Sequence, residues 1–172
     1  MKLDMSGDHP IRQYFAEALH ESLSGIGLIE GEVESYLAEM MVRFLHRDGL
    51  YEIRDAFGHR LESVADMVVE GDVRLNANSF DREREVHRHI GDFLLFWAGI
   101  YPEFLKNLKA PTGKDALLDP VRQGRYSYHL VSTFVHGDYA REAPVFRKLS
   151  NDFEAYLYGL RLVRDRFDPA PR

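Results

Sequence analysis

Between residues 32 and 46 the apolar side chains Val33, Tyr36, Leu37, Met40, Met41, Phe44 and Leu45 recur at intervals of three and four, while Glu32, Glu39, Arg43 and His46 fall on the other side. That period lays one apolar stripe along an α-helix and leaves the opposite face to water. The same rhythm predicts a helix over 10–23, with Ile11, Tyr14, Phe15, Ala18 and Leu19 on one face and "SGIG" as its stop. It predicts another over 59–70, where Leu61, Val64, Ala65 and Val68 point inward and Gly71 follows. Val131, Phe134 and Val135 mark the inner face of a helix over 120–136, and a long stripe from Phe146 to Val163 marks one over 144–167.

Proline sharpens these starts, because its fixed φ and missing N–H suit the first helical position. Pro10, Pro102, Pro120 and Pro144 each stand directly before a helix-forming stretch, and Asp119 adds an N-cap in front of Pro120.

The sixth main helix, over 80–98, differs from the rest. Its second half, within "HRHIGDFLLFWAGIYPEFL" (87–105), has no charge from Phe93 to Tyr101 and places Phe93, Leu94, Leu95 and Trp97 around most of the circumference. A helix apolar on all sides is buried, so this segment is expected at the centre of the fold. Gly99 reads either as a close backbone approach or as the residue that ends the helix; the second is favoured, because the residue before a proline is biased away from the α region. A short helix, "PEFLKNL", then starts at Pro102. The segment "RDGLYEIRDAFG" (47–58) is ambiguous and can hold a short extended piece.

No strand-length alternation and no repeat of 20 to 50 residues competes with this reading. The fold class expected is all-α: one domain over 1–167, a bundle of about six helices with a largely buried central helix, and a short tail at 168–172. At 172 residues such a chain buries roughly 70% of its unfolded surface and needs no staple.

Composition narrows the functions. Cysteine is absent, which removes disulfides, thiolate zinc sites and cysteine nucleophiles, and suits a reducing compartment. The N-terminus shows no apolar h-region, and the run from Phe93 to Tyr101 is about half of the ~20 residues that span a bilayer. A soluble, cytoplasmic protein without a membrane partner is expected. The net charge of −6 argues against nucleic acid as a partner.

Two constellations carry chemistry. Glu85, His89 and Asp92 lie at i, i+4 and i+7 on one side of the central helix, where carboxylate and imidazole together suit a divalent metal such as iron, manganese or zinc. A di-iron carboxylate bundle, however, needs a Glu-x-x-His pair on each of two helices, and the one strict match, Glu17 to His20, sits on a polar face. Local pairing with Arg82 or Arg88 is the favoured role for these residues. Asp92, at the edge of the buried section, requires a partner if buried, and Arg122 or Arg125 is the expected one.

The helix over 120–136 carries the second set, Arg122, Arg125, His129 and His136, with Tyr126 and Tyr128 nearby. Arg122 and His129 are the candidate catalytic pair: their spacing resembles the Arg-x4-6-His signature of the HEPN ribonucleases, which implies acid–base cleavage of RNA. Arg54 to His59, Arg82 to His87 and Arg84 to His89 meet the same pattern, so the spacing alone selects nothing. "APTGKD" (110–115) has Leu108 and Asp115 where a phosphate loop needs glycine and Ser or Thr. With no complete catalytic constellation, enzymatic activity stays open. The expectation is a non-enzymatic binding or interaction module that meets a second copy or another protein, with a metal-dependent bundle enzyme and a HEPN-like ribonuclease as the alternatives.

Overall fold

The computed structural model describes residues 10–167, and the tail read at 168–172 lies outside them. Among the described residues the chain forms nine helices and no strand: α1 (Pro10–Ser24), α2 (Gly31–Arg43), α3 (Arg47–Leu50), α4 (Val64–Glu70), α5 (Phe80–Ile100), α6 (Pro102–Leu108), α7 (Pro120–Ser132), α8 (Tyr139–Asn151) and α9 (Phe153–Phe167). The short extended piece expected within 47–58 is reduced to Arg54, which makes one antiparallel bridge with Arg60 beyond that segment. The all-α class is as expected. No described helix is long and apolar enough to cross a membrane.

α5 is the axis of the bundle. Every residue from His89 to Phe96 is buried, and the helix packs most extensively on α7 and then on α9, while α1 packs on α2 and α8 on α7. Its start is set by Ser79, whose hydroxyl accepts the Arg82 amide, with Asp81 and Glu83 placed favourably in the first turn. Gly99 does not end it. The helix continues to Ile100, and a Cβ at Gly99 would stand 2.6 Å from Leu160 Cβ, so the glycine allows α9 to approach closely. The bias from Pro102 acts instead on Tyr101, which leaves the helical region at φ −132° and ψ 67° and ends α5 just past Ile100.

Other boundaries also differ from the periodic reading. α4 begins at Val64 because Ser63 caps it through the Asp66 amide, and the stretch before it is pulled into a turn whose amides at Phe57 and His59 bond Asp55. Asp115, from the "TGKD" loop, is buried and accepts the amides of Val64 and Ala65, both at 2.9 Å. α7 stops at Ser132: the hydroxyls of Ser132 and Thr133 turn back onto the carbonyls of His129 and Leu130, and Val135 is left exposed.

The stripe over 144–167 is two helices. α8 starts at Tyr139, so Pro144 lies inside it and does not open it, and Asp152 separates α8 from α9 while its carbonyl accepts the Tyr156 amide. The apolar residues on both sides of that break face the same core, which is why the stripe runs through it unbroken. Pro102 and Pro120 do stand at the first turns of α6 and α7.

Gly99→Ala is expected to destabilise the fold by about 1–3 kcal/mol through overpacking against Leu160. Chemical denaturation checks this; a change below about 0.5 kcal/mol would mean that α9 can move away freely.

Candidate functional site

The most concentrated polar chemistry in the interior lies around Asp92. Its side chain is fully buried and accepts four short contacts: the Tyr36 hydroxyl donates toward Oδ1 and Oδ2 at 2.8 and 2.7 Å, the Tyr128 hydroxyl to Oδ1 at 2.7 Å, and Arg43 Nη2 to Oδ2 at 2.8 Å. Tyr36 and Arg43 come from α2, one on its inner face and one at its last turn, and Tyr128 comes from α7. Tyr128 reaches Asp92 because Gly91 gives its ring room; a Cβ at Gly91 would lie 2.6 Å from the Tyr128 ring. The partner expected from α7 is therefore not an arginine. Arg125 instead donates to the carbonyls of Ser150 and Asn151 and caps the end of α8.

Burial pushes both tyrosine hydroxyls well above their ordinary pKa, and the Asp92 charge adds to it. Burial opposes the charge on Arg43, but Asp92 overrides it, and the guanidinium holds its proton more tightly than usual. The network continues outward: Glu52 lies 3.7 Å from Arg43 Nη1 and 3.5 Å from Arg88 Nη2. Two carboxylates thus face two guanidiniums.

His89 borders this cluster without joining it. Its ring has no exposed surface, packs against Phe44 and Phe93 with centroids 5.9 and 5.8 Å away, and neither nitrogen makes a hydrogen bond of good geometry. Burial lowers its pKa to about 4 against the weaker pull of Asp92, so the ring is neutral at pH 7. His87, on another side of α5, is also lowered to about 4 by burial; its Nδ1 lies 3.0 Å from the Ser127 hydroxyl. With Asp72 nearby this looks like a nucleophile triad, but Ser127 is fully buried and also receives the Gln123 amide, so no substrate reaches its oxygen.

The structure places the sequence candidates as follows. Glu85 is partly exposed and pairs with Arg82 at 3.1 Å, the local role favoured above. Asp92 is taken by tyrosines and arginine, and His89 by aromatic rings. Glu85, His89 and Asp92 are not brought together, and among the described residues no three His, Asp or Glu side chains converge to hold a metal ion. Arg122 and His129 are both exposed on α7, two turns apart; Arg122 lines a shallow cavity with Gln123 and Tyr126 that His129 does not reach.

No family model, curated protein or solved structure matches this chain.

Two further cavities stand apart from the Asp92 cluster and bear on function. One, of about 450 Å³, is polar and lies at the start of α5, with Arg82, Arg84, Arg88 and Tyr139 in its walls. The other, of about 470 Å³, is an apolar groove bordered by α1, α2, α5 and α9, with Phe44 and Phe96 in its walls. Neither was visible in the sequence, because each gathers residues from distant segments whose individual patterns look like ordinary helix faces.

Asp92→Asn is expected to cost about 3–5 kcal/mol, because Arg43 would lose the charge that compensates its burial. Tyr128→Phe removes one donor and is expected to cost about 1–3 kcal/mol. Urea denaturation of both variants tests the order; equal small losses would show that the cluster is solvated.

The histidines set the acid limb of stability. Their folded pKa of about 4 lies below the ordinary 6.5, so between those values the unfolded chain binds protons that the folded chain refuses. Stability is complete above about pH 6.5 and falls as pH drops toward 4. His89→Phe is expected to shallow that decline while changing neutral-pH stability by less than about 1.5 kcal/mol. An acid limb identical to the parent's would show that His89 titrates normally.

Proposed function

We propose that this protein is a non-enzymatic interaction module that self-associates through its apolar groove. The observation that carries the reading is the rim of that groove: Tyr14, Leu45, Tyr101 and Phe167 stand around it with 51%, 50%, 51% and 41% of their surfaces exposed. An apolar surface of this kind loses free energy in water and gains it when covered. The residues also match what interface centres prefer, since aromatic rings, Met41 and Arg164 contribute and, among the described residues, no carboxylate lines the groove. The charge of Arg164 is taken up by Glu103 at 3.1 Å, so the groove offers shape and apolar area more than charge.

A second copy is the simplest occupant, because the half-exposed rings that line one rim are projections that fit a concave partner, and a twofold contact lets both copies use them at once. A chain without cysteine suits such a role in the cytoplasm. The metal-enzyme and ribonuclease readings draw less support: Glu85, His89 and Asp92 serve three different sets of neighbours, and Arg122 and His129 share no cavity.

Sedimentation across micromolar concentrations tests the proposal, with Leu45→Glu as the probe because its side chain is half exposed and its loss leaves the core intact. The parent is expected to dimerise, and the variant to dissociate at least tenfold more readily, about 1.4 kcal/mol, with unchanged helicity. A parent that is monomeric throughout, or a variant that dimerises equally well, would overturn it.

A further inference from the structure

We propose that the polar cavity at the start of α5 binds a small phosphate monoester, its phosphate held between Arg84 and Arg88. The two arginines stand at i and i+4 on one helix, so their side chains share a face, where like charges repel unless an anion lies between them. Both line the cavity. Each also has a buried Nε–H with no hydrogen-bond partner; an unmet donor in such a place carries a desolvation cost that is relieved if the side chain turns toward a ligand oxygen.

The arginines are held ready. The Arg84 guanidinium lies 3.9 Å from the centroid of the Tyr139 ring and its side chain is only 8% exposed. Tyr139 is itself fixed, donating from its hydroxyl to Asp81 at 2.9 Å. Arg88 has a looser tie, 3.5 Å to Glu52. Arg82 differs: it is committed to Glu70, Glu85 and the Arg54 carbonyl and has little left for a ligand. Planar guanidinium forks match the oxygens of phosphate better than a point charge would.

The ester part of the ligand follows from the rest of the cavity. About 450 Å³ exceeds what a bare phosphate fills, and Asn78, Ser79, Asp81 and Glu85 provide amide, hydroxyl and carboxylate groups suited to hydroxyls. Glu142 occupies Arg84 in the free protein through a 2.6 Å contact, yet its side chain is 52% exposed. The ligand phosphate takes over that contact and Glu142 swings to solvent.

Isothermal titration at low salt with glycerol phosphate and with inorganic phosphate tests this. The expected result is saturable 1:1 binding of glycerol phosphate, at least tenfold weaker in Arg88→Gln and several-fold tighter in Glu142→Gln, where the competing carboxylate is gone. In the unaltered protein the Nε–H resonances of Arg84 and Arg88 should shift with the same saturation curve. This readout does not depend on any variant folding. Absence of saturable binding, or saturation with unshifted arginine resonances, would overturn the site. Equal affinity for inorganic phosphate would overturn the monoester assignment.

Discussion

The Asp92 carboxylate has no contact with water, and a bare charge in such a place costs several kcal/mol unless donors replace the lost hydration. Here the donors come from two other helices. Tyr36 and Arg43 on α2 and Tyr128 on α7 must all arrive at the same oxygens for α5 to sit at the centre of the bundle. A one-residue shift of α5 would turn Asp92 by about 100° into apolar neighbours. The apolar stripes bring the helices together, but many rotations bury a stripe; the carboxylate admits only one.

Surrounding contacts are arranged around that requirement. Gly91 and Gly124 remove side chains where the rings of Tyr128 and Phe153 come in, and Tyr128 packs between Phe146 and Phe153 with centroids 5.8 and 6.0 Å away. Glu52 balances the second guanidinium, so this cluster carries two carboxylates against two guanidiniums. His89 is accommodated in the same region as a neutral ring among aromatics, a solution that works only while it stays unprotonated.

The fold class and the central position of α5 were legible because they depend on short-range periodicity, which one helix reports about itself. Asp92 was legible as a residue in need of a partner, since it opens the uncharged run. Its partners were not: Tyr36 read as an apolar-stripe residue, Tyr128 as a neighbour of the arginines and histidines over 120–136, and Arg43 as part of a wet face, because nothing local records that three hydroxyl and guanidinium groups meet. The break at Asp152 was hidden by a stripe that faces one core from two helices, and Gly99 was misread because its reason lies in Leu160, some sixty positions away. The two cavities were illegible for the same reason as the partners of Asp92, being assembled from several segments.

Asp115 has a consequence for the order of assembly. α4 has only seven residues, too few to hold helical structure alone in water, and its first amides are answered from a loop about fifty residues further along the chain. That answer arrives only after α5 and α6 have folded back to carry the loop past Ser63. α4 is therefore a late-forming element whose start is held by a distant residue. Lifting the loop around Asp115 would release those first amides to solvent without requiring the bundle to unfold.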